Sequence, residues 1–110
     1  MNSEPIVLIR KKDRIDYILN GLCRYYDITM EELLRRARTD RRYKRKRIAI
    51  KILRDIADCS LKDIKYAFNN KSEAAIWQTY TIFTEEIDPN TYGSESLKKE
   101  YADVLKYLRL

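Results

Sequence analysis

From Lys44 to Ile56 the chain carries a helical signature that restricts everything around it. At about 100° per residue, Ile48, Ala49, Ile52, Leu53 and Ile56 share one stripe, while Lys44, Arg47, Lys51 and Arg54 fall nearly opposite. The spacing predicts an amphipathic helix with a buried apolar face and a basic outer one, which commits the chain to helix-on-helix packing. This helix is the second half of a charge block. Residues 35–54 hold eleven of the 23 Lys and Arg against one acid, and the other ninety residues hold 12 cations against 16 acids. Such a block repels itself in water and is relieved by a polyanion, of which nucleic-acid phosphate is the commonest. The competing reading is a solvated, charge-rich helix. Residues 35–42 carry charge without periodicity, as expected of a helix end running into a short basic loop. A loop with Arg38, Arg41 and Arg42 suits a phosphate backbone or a minor groove.

At 110 residues, 45% hydrophobic and 36% charged, the chain fits one globular domain with one core. Two Gly and two Pro disfavour β-rich and repeat architectures. No apolar run approaches the roughly 18 residues of a membrane span, and the opening Met1-Asn2-Ser3-Glu4-Pro5 does not resemble a signal peptide, so a cytoplasmic protein is expected. There is no His, and Cys23 and Cys59 are far apart in sequence. That argues against His-based acid–base chemistry, Cys/His dyads and the usual zinc sites. No glycine-rich nucleotide loop is present. The expectation is a protein without catalytic residues, metal or cofactor.

In chain order, residues 1–11 read as an arm, with Ile6-Val7-Leu8-Ile9 available to tuck against the domain formed by residues 12–110. Ile15, Ile18, Leu19, Leu22 and Tyr26 repeat at helical spacing, predicting a helix from Asp13 to about Tyr26. Thr29 and Glu32 form a capping box for a second helix, from Met30 to about Ala37, anchored by Leu33 and Leu34. After the basic helix, Ser60 caps a short helix, residues 61–68, whose Leu61, Ile64, Ala67 and Phe68 face inward, with Asp63 favourable in the first turn. Asn69-Asn70 supplies a turn, since Asn tolerates positive φ. Ser72 then caps a helix to about Glu86. Beyond a break at Asp88-Pro89-Asn90-Thr91-Tyr92-Gly93, Leu97, Tyr101, Val104, Leu105 and Leu108 mark a last helix, after a serine cap. The two cysteines suit core or boundary positions. The fold class is thus all-α, about six helices with a helix-turn-helix at about 61–86.

In the helix after Ser72, Ala75, Ile76, Thr79, Tyr80 and Phe83 point inward, leaving Glu73, Ala74, Trp77, Gln78 and Thr81 outward. The outer residues of a second helix are those that reach base edges: Gln pairs with adenine, Glu accepts from cytosine, and Ala touches a thymine methyl. Trp77 has three readings: contact with DNA, packing under the C-terminal segment, or closure of a dimer.

These residues carry a resemblance. Tyr25-Tyr26-Asp27-Ile28, Glu32-Leu33-Leu34, the basic stretch, Ser60-Leu61-Lys62-Asp63-Ile64 and Ala67-Phe68 follow, in one register over about sixty residues, the pattern of the C-terminal DNA-binding domain (domain IV) of the bacterial replication initiator DnaA. Leu97-Lys98-Lys99-Glu100-Tyr101 resembles its closing helix after a longer linker. The resemblance implies a Trp-repressor-like helix-turn-helix. It places Arg38 where the family inserts an Arg into the minor groove, and Arg54, Leu61 and Lys62 where the family touches phosphates. Lys71, Ser72, Glu73 and Ala74 stand where the family reads its box with Arg, Asp, His and Thr, so only the cation is kept. Asn69-Asn70 replaces a glycine pair. The chain carries no ATPase domain.

The expected function is therefore double-stranded DNA binding by a module of a bacterium or mobile element, dominated by phosphate contacts with altered or weak sequence preference. RNA is a second polyanion, although no exposed aromatic platform for single strands stands out. The alternative is a protein-interaction module that keeps the fold and uses Trp77, for which Glu73, Glu85 and Glu86 nearby supply an acidic surface hostile to phosphate. No membrane partner is expected.

Overall fold

The computed structural model describes residues 11–35, 40–68, 72–90 and 95–110, with residues 40–43 described by backbone alone. Of the arm expected over residues 1–11, Lys11 belongs to the first helix and residues 1–10 lie outside the described residues, as do Arg38, Asn69-Asn70, Lys71 and the serine expected to cap the last helix. Within them the chain is all-helical: α1 (Lys11–Tyr26), α2 (Met30–Leu34), α3 (Asp40–Asp55), α4 (Leu61–Phe68), α5 (Glu73–Glu86) and α6 (Glu95–Leu108). None of these helices is long and apolar enough to cross a membrane.

Local chemistry sets most of the ends. The Glu32 amide donates to the Thr29 hydroxyl at 3.1 Å and the Thr29 amide reaches the Glu32 carboxylate, so the expected capping box starts α2. Ser60 and Asp63 form the same reciprocal pair at α4, and Ser72 accepts from the Ala75 amide at α5. A left-handed residue at φ 56° follows both α1 and α3: Asp27 directly after α1, and Asp58 in the turn beyond α3. There the Ile28 amide turns back to the Cys23 carbonyl and the Cys59 amide to the Leu53 carbonyl. Aspartate serves where Gly or Asn is the usual choice.

Two boundaries differ from the sequence reading. α2 stops at Leu34 instead of near Ala37, because Arg35 already has extended backbone (ψ 148°). α3 starts at Asp40, so Arg41 and Arg42 belong to its first turn and not to a loop. An acid at the first helical position suits the helix dipole, and the apolar stripe that marks this helix in the sequence begins only at Ile48, two turns later.

α3 is the hub. It packs against α1, α2, α4 and α5, while α6 closes over α1. Ten of its sixteen residues are charged, yet Ile48, Ala49, Ile50, Ile52 and Leu53 are all buried. Ile18, Leu19 and Leu22 of α1, Leu33 of α2, Ile64 and Phe68 of α4, Ile76 and Phe83 of α5, and Leu97, Val104 and Leu108 of α6 complete one core. Cys59 sits inside it and Cys23 at its edge, both as free thiols. Burial pushes both thiols up from their ordinary range.

Candidate nucleic-acid interface

The basic outer face expected on α3 is not outer. Lys51 is only 8% exposed: its ammonium lies 2.6 Å from Asp55, 2.9 Å from the Thr84 hydroxyl and 4.9 Å from the centre of the Tyr80 ring. Arg47 donates to Glu86 at 2.8 Å and lies over Phe83. Lys44 faces Glu100 at 3.4 Å. Arg54 donates to the Cys59 carbonyl at 3.1 Å, tying down the turn after α3. Lys46, 4% exposed and absent from the expected contacts, donates to the Leu34 carbonyl at 3.2 Å.

The physical reason is that α3 is packed against four other helices, so that from Arg45 to Arg54 no described side chain is fully exposed. Its long cations bury their methylene stems against the core and turn their heads to acceptors on α5 and α6, at the end of α2, in the turn after α3 and on α3 itself. Glu86, read from the sequence as part of an acidic surface near Trp77, is therefore turned inward to Arg47. Glu73 and Glu85 remain exposed.

The pairs also fix direction. Arg47 meets Glu86, Lys51 meets Thr84, and Asp55 accepts the Tyr80 hydroxyl at 2.6 Å. Rising residue numbers on α3 thus pair with falling numbers on α5, so the two helices are antiparallel. The start of α5 lies roughly 20 Å from the level of Arg47, and the start of α3 about 10 Å further on. The bond to Asp55, with some help from burial, pushes the Tyr80 phenol up and keeps it a donor.

Four α5 side chains expected to point outward do so. Glu73, Ala74, Trp77 and Gln78 are exposed, while Ile76 and Phe83 are buried beneath them. Trp77 is 48% exposed and its ring meets Tyr80, with centroids 5.5 Å apart, so the C-terminal helix does not cover it. Thr81, expected outward, is half-buried and donates its hydroxyl to the Trp77 carbonyl.

α4 packs beside α5. Leu61 is half-buried, and Lys62 is exposed together with Lys65 and Tyr66. Lys65 and Tyr66 were missed in the sequence. Tyr66 is 72% exposed, so the chain does carry an open aromatic ring. The signal was available: 62, 65 and 66 follow i, i+3, i+4 spacing, opposite Ile64 and Phe68. At the start of α4, Asp63 accepts from the Ser60 amide and pairs with Lys11 at 3.0 Å; those two contacts hold its carboxyl below the usual range.

Among the described residues no three His, Cys, Asp or Glu side chains are grouped to hold a metal ion. No protein-family model, no curated protein and no solved structure matches the chain.

Proposed function

We propose that the chain binds double-stranded DNA, with α4 and α5 as a helix-turn-helix of the kind that the DnaA-like residues suggest. The observation that carries this reading is the exposed first two turns of α5, where Glu73, Ala74, Trp77 and Gln78 stand clear of the core, while Lys62 and Lys65 are exposed on α4, which packs against it. Phosphate contacts fall to Lys62 and Lys65 at this end, and to the cations of the α2–α3 segment, Arg38, Arg41 and Arg42, at the other. The roughly 30 Å between the starts of α3 and α5 compares with the 34–36 Å of one duplex turn. Arg47, Lys51 and Arg54 hold the fold together in this reading. With few base-reading groups on α5, affinity is mainly electrostatic and sequence preference modest. RNA in place of duplex DNA is an outcome of the same titration.

A second reading rests on Trp77 at 48% and Ile82 at 44% exposure, two large apolar side chains on one helix beside Glu73 and Glu85. It makes α5 a protein-docking face or a dimer seam.

Fluorescence anisotropy of a labelled initiator-box duplex, a scrambled duplex and an RNA duplex, from about 50 to 200 mM salt, tests both. The DNA reading expects steep salt dependence, with the log–log slope reduced by about 1.8 when Lys62 and Lys65 become Gln. No binding at low salt, together with a dimer that Trp77→Ala dissolves, would overturn it in favour of the second.

A further inference from the structure

The end of α1, the start of α3 and the middle of α6 enclose a recess of about 230 Å³ lined by Tyr26, Lys44, Arg45 and Glu100. We propose that this recess binds a phosphoryl oxyanion, held by Arg45 and Lys44. Its volume is below the roughly 300–1,000 Å³ of small-molecule sites, so it suits one oxyanion group and not a whole nucleotide.

The charges in the recess are unbalanced. Among the described side chains Lys44 and Arg45 face a single carboxylate, and both oxygens of that carboxylate are taken: Oε2 accepts the Tyr26 hydroxyl, and Oε1 meets the Lys44 ammonium at 3.4 Å. That last distance is long for a charge-assisted bond, normally about 2.7–2.9 Å, so Lys44 is held loosely. Tyr26 adds no charge of its own, because burial and the bond to Glu100 hold its phenol well above the ordinary range. Arg45 has no carboxylate partner among the described residues. Its guanidinium lies over the Tyr26 ring, 5.3 Å from the centroid, and its Nε is buried without a hydrogen-bond partner. A buried donor left unmet is costly, and a guanidinium fixed by a ring presents a planar fork that matches two phosphoryl oxygens. Stacking on the ring restricts the side chain, which lowers the rotamer freedom lost when the anion arrives.

Two sources offer this chemistry: free phosphate or a phosphomonoester, and a nucleic-acid backbone. The recess is lined by no residue of α5, so it is tested separately from the reading-helix proposal. The experiment follows the Arg Nε–Hε resonances of the ¹⁵N-labelled full chain, with Arg45 assigned through R45K. Inorganic phosphate is titrated at constant ionic strength set with chloride, and a DNA duplex is titrated in parallel.

The expected result is a saturable shift of the Arg45 resonance with phosphate, weakened several-fold in K44Q. E100Q keeps an acceptor for Tyr26 but removes the competing charge, and it tightens phosphate binding roughly three- to tenfold. A cluster that only braces the fold would show the opposite, lost stability and no gain in affinity. A shift with phosphate alone assigns the site to a free anion. A shift with both, phosphate and duplex competing, assigns it to a backbone phosphate. An Arg45 resonance that neither ligand moves in folded protein, or phosphate binding unchanged in both K44Q and E100Q, overturns the proposal.

Discussion

Replacing Lys51 with Met retains the aliphatic stem and most of the volume but removes the buried ammonium. In the native fold that ammonium contacts Asp55 at 2.6 Å, the Thr84 hydroxyl at 2.9 Å and the Tyr80 ring face at 4.9 Å. Breaking a fully buried pair by removing one partner costs about 3–5 kcal/mol. Here the cost is smaller, since Asp55 keeps the Tyr80 hydroxyl at 2.6 Å and its side chain is 35% exposed, so water reaches it. A loss of about 2 kcal/mol follows, or about 8 °C in Tm for a domain of this size. The assay is urea unfolding by far-ultraviolet circular dichroism, with K51M, D55N and the double variant closing a cycle. A coupling of about 1–2 kcal/mol is expected, because the double variant no longer strands a carboxylate. In duplex titrations, K51M should leave the salt slope unchanged, whereas deletion of a phosphate contact lowers it by about 0.9. A K51M protein as stable as the native chain, or one with a reduced salt slope, would refute the burial argument and return Lys51 to an outer face.

Gly21 lies where α1 meets α6, and a Cβ there would sit 2.2 Å from Leu108 Cδ2, an atom of a side chain only 2% exposed. Gly21→Ala gains about 1 kcal/mol in helix propensity but forces about 1–3 kcal/mol of overpacking, so net destabilisation of about 1 kcal/mol is expected by thermal melting. That cost should shrink in combination with Leu108→Val. At the start of α4, the depressed Asp63 carboxyl contributes stability that is complete above the unfolded pKa of about 3.9 and fades as pH falls through the lower folded value. Asp63→Asn should be less stable at neutral pH and show a flatter loss between about pH 4 and 2; parallel curves would remove Asp63 from the cap.

What the chain declares locally was legible without coordinates. Thr29 with Glu32, and Ser60 with Asp63, cap helices through atoms three residues apart, and the apolar stripes of the five longer helices repeat at the period of the helix itself. For the same reason Glu73, Ala74, Trp77 and Gln78 were placed outward correctly: one side of α5 is apolar enough to define the other. α3 resisted such reading because both of its sides are used. A helical wheel separates Lys51 from Ile52 by angle, but it carries no information on what lies beyond each side chain. Arg47 meets Glu86 and Lys44 meets Glu100 only after α5 and α6 have folded back across dozens of residues. Burial of a charge depends on the partner that arrives to meet it, and that partner is set by packing rather than by spacing. The sequence by itself therefore determined the helices, the caps of α2, α4 and α5, and the exposed start of α5. The tertiary structure decided that the chain's most basic helix is also its innermost.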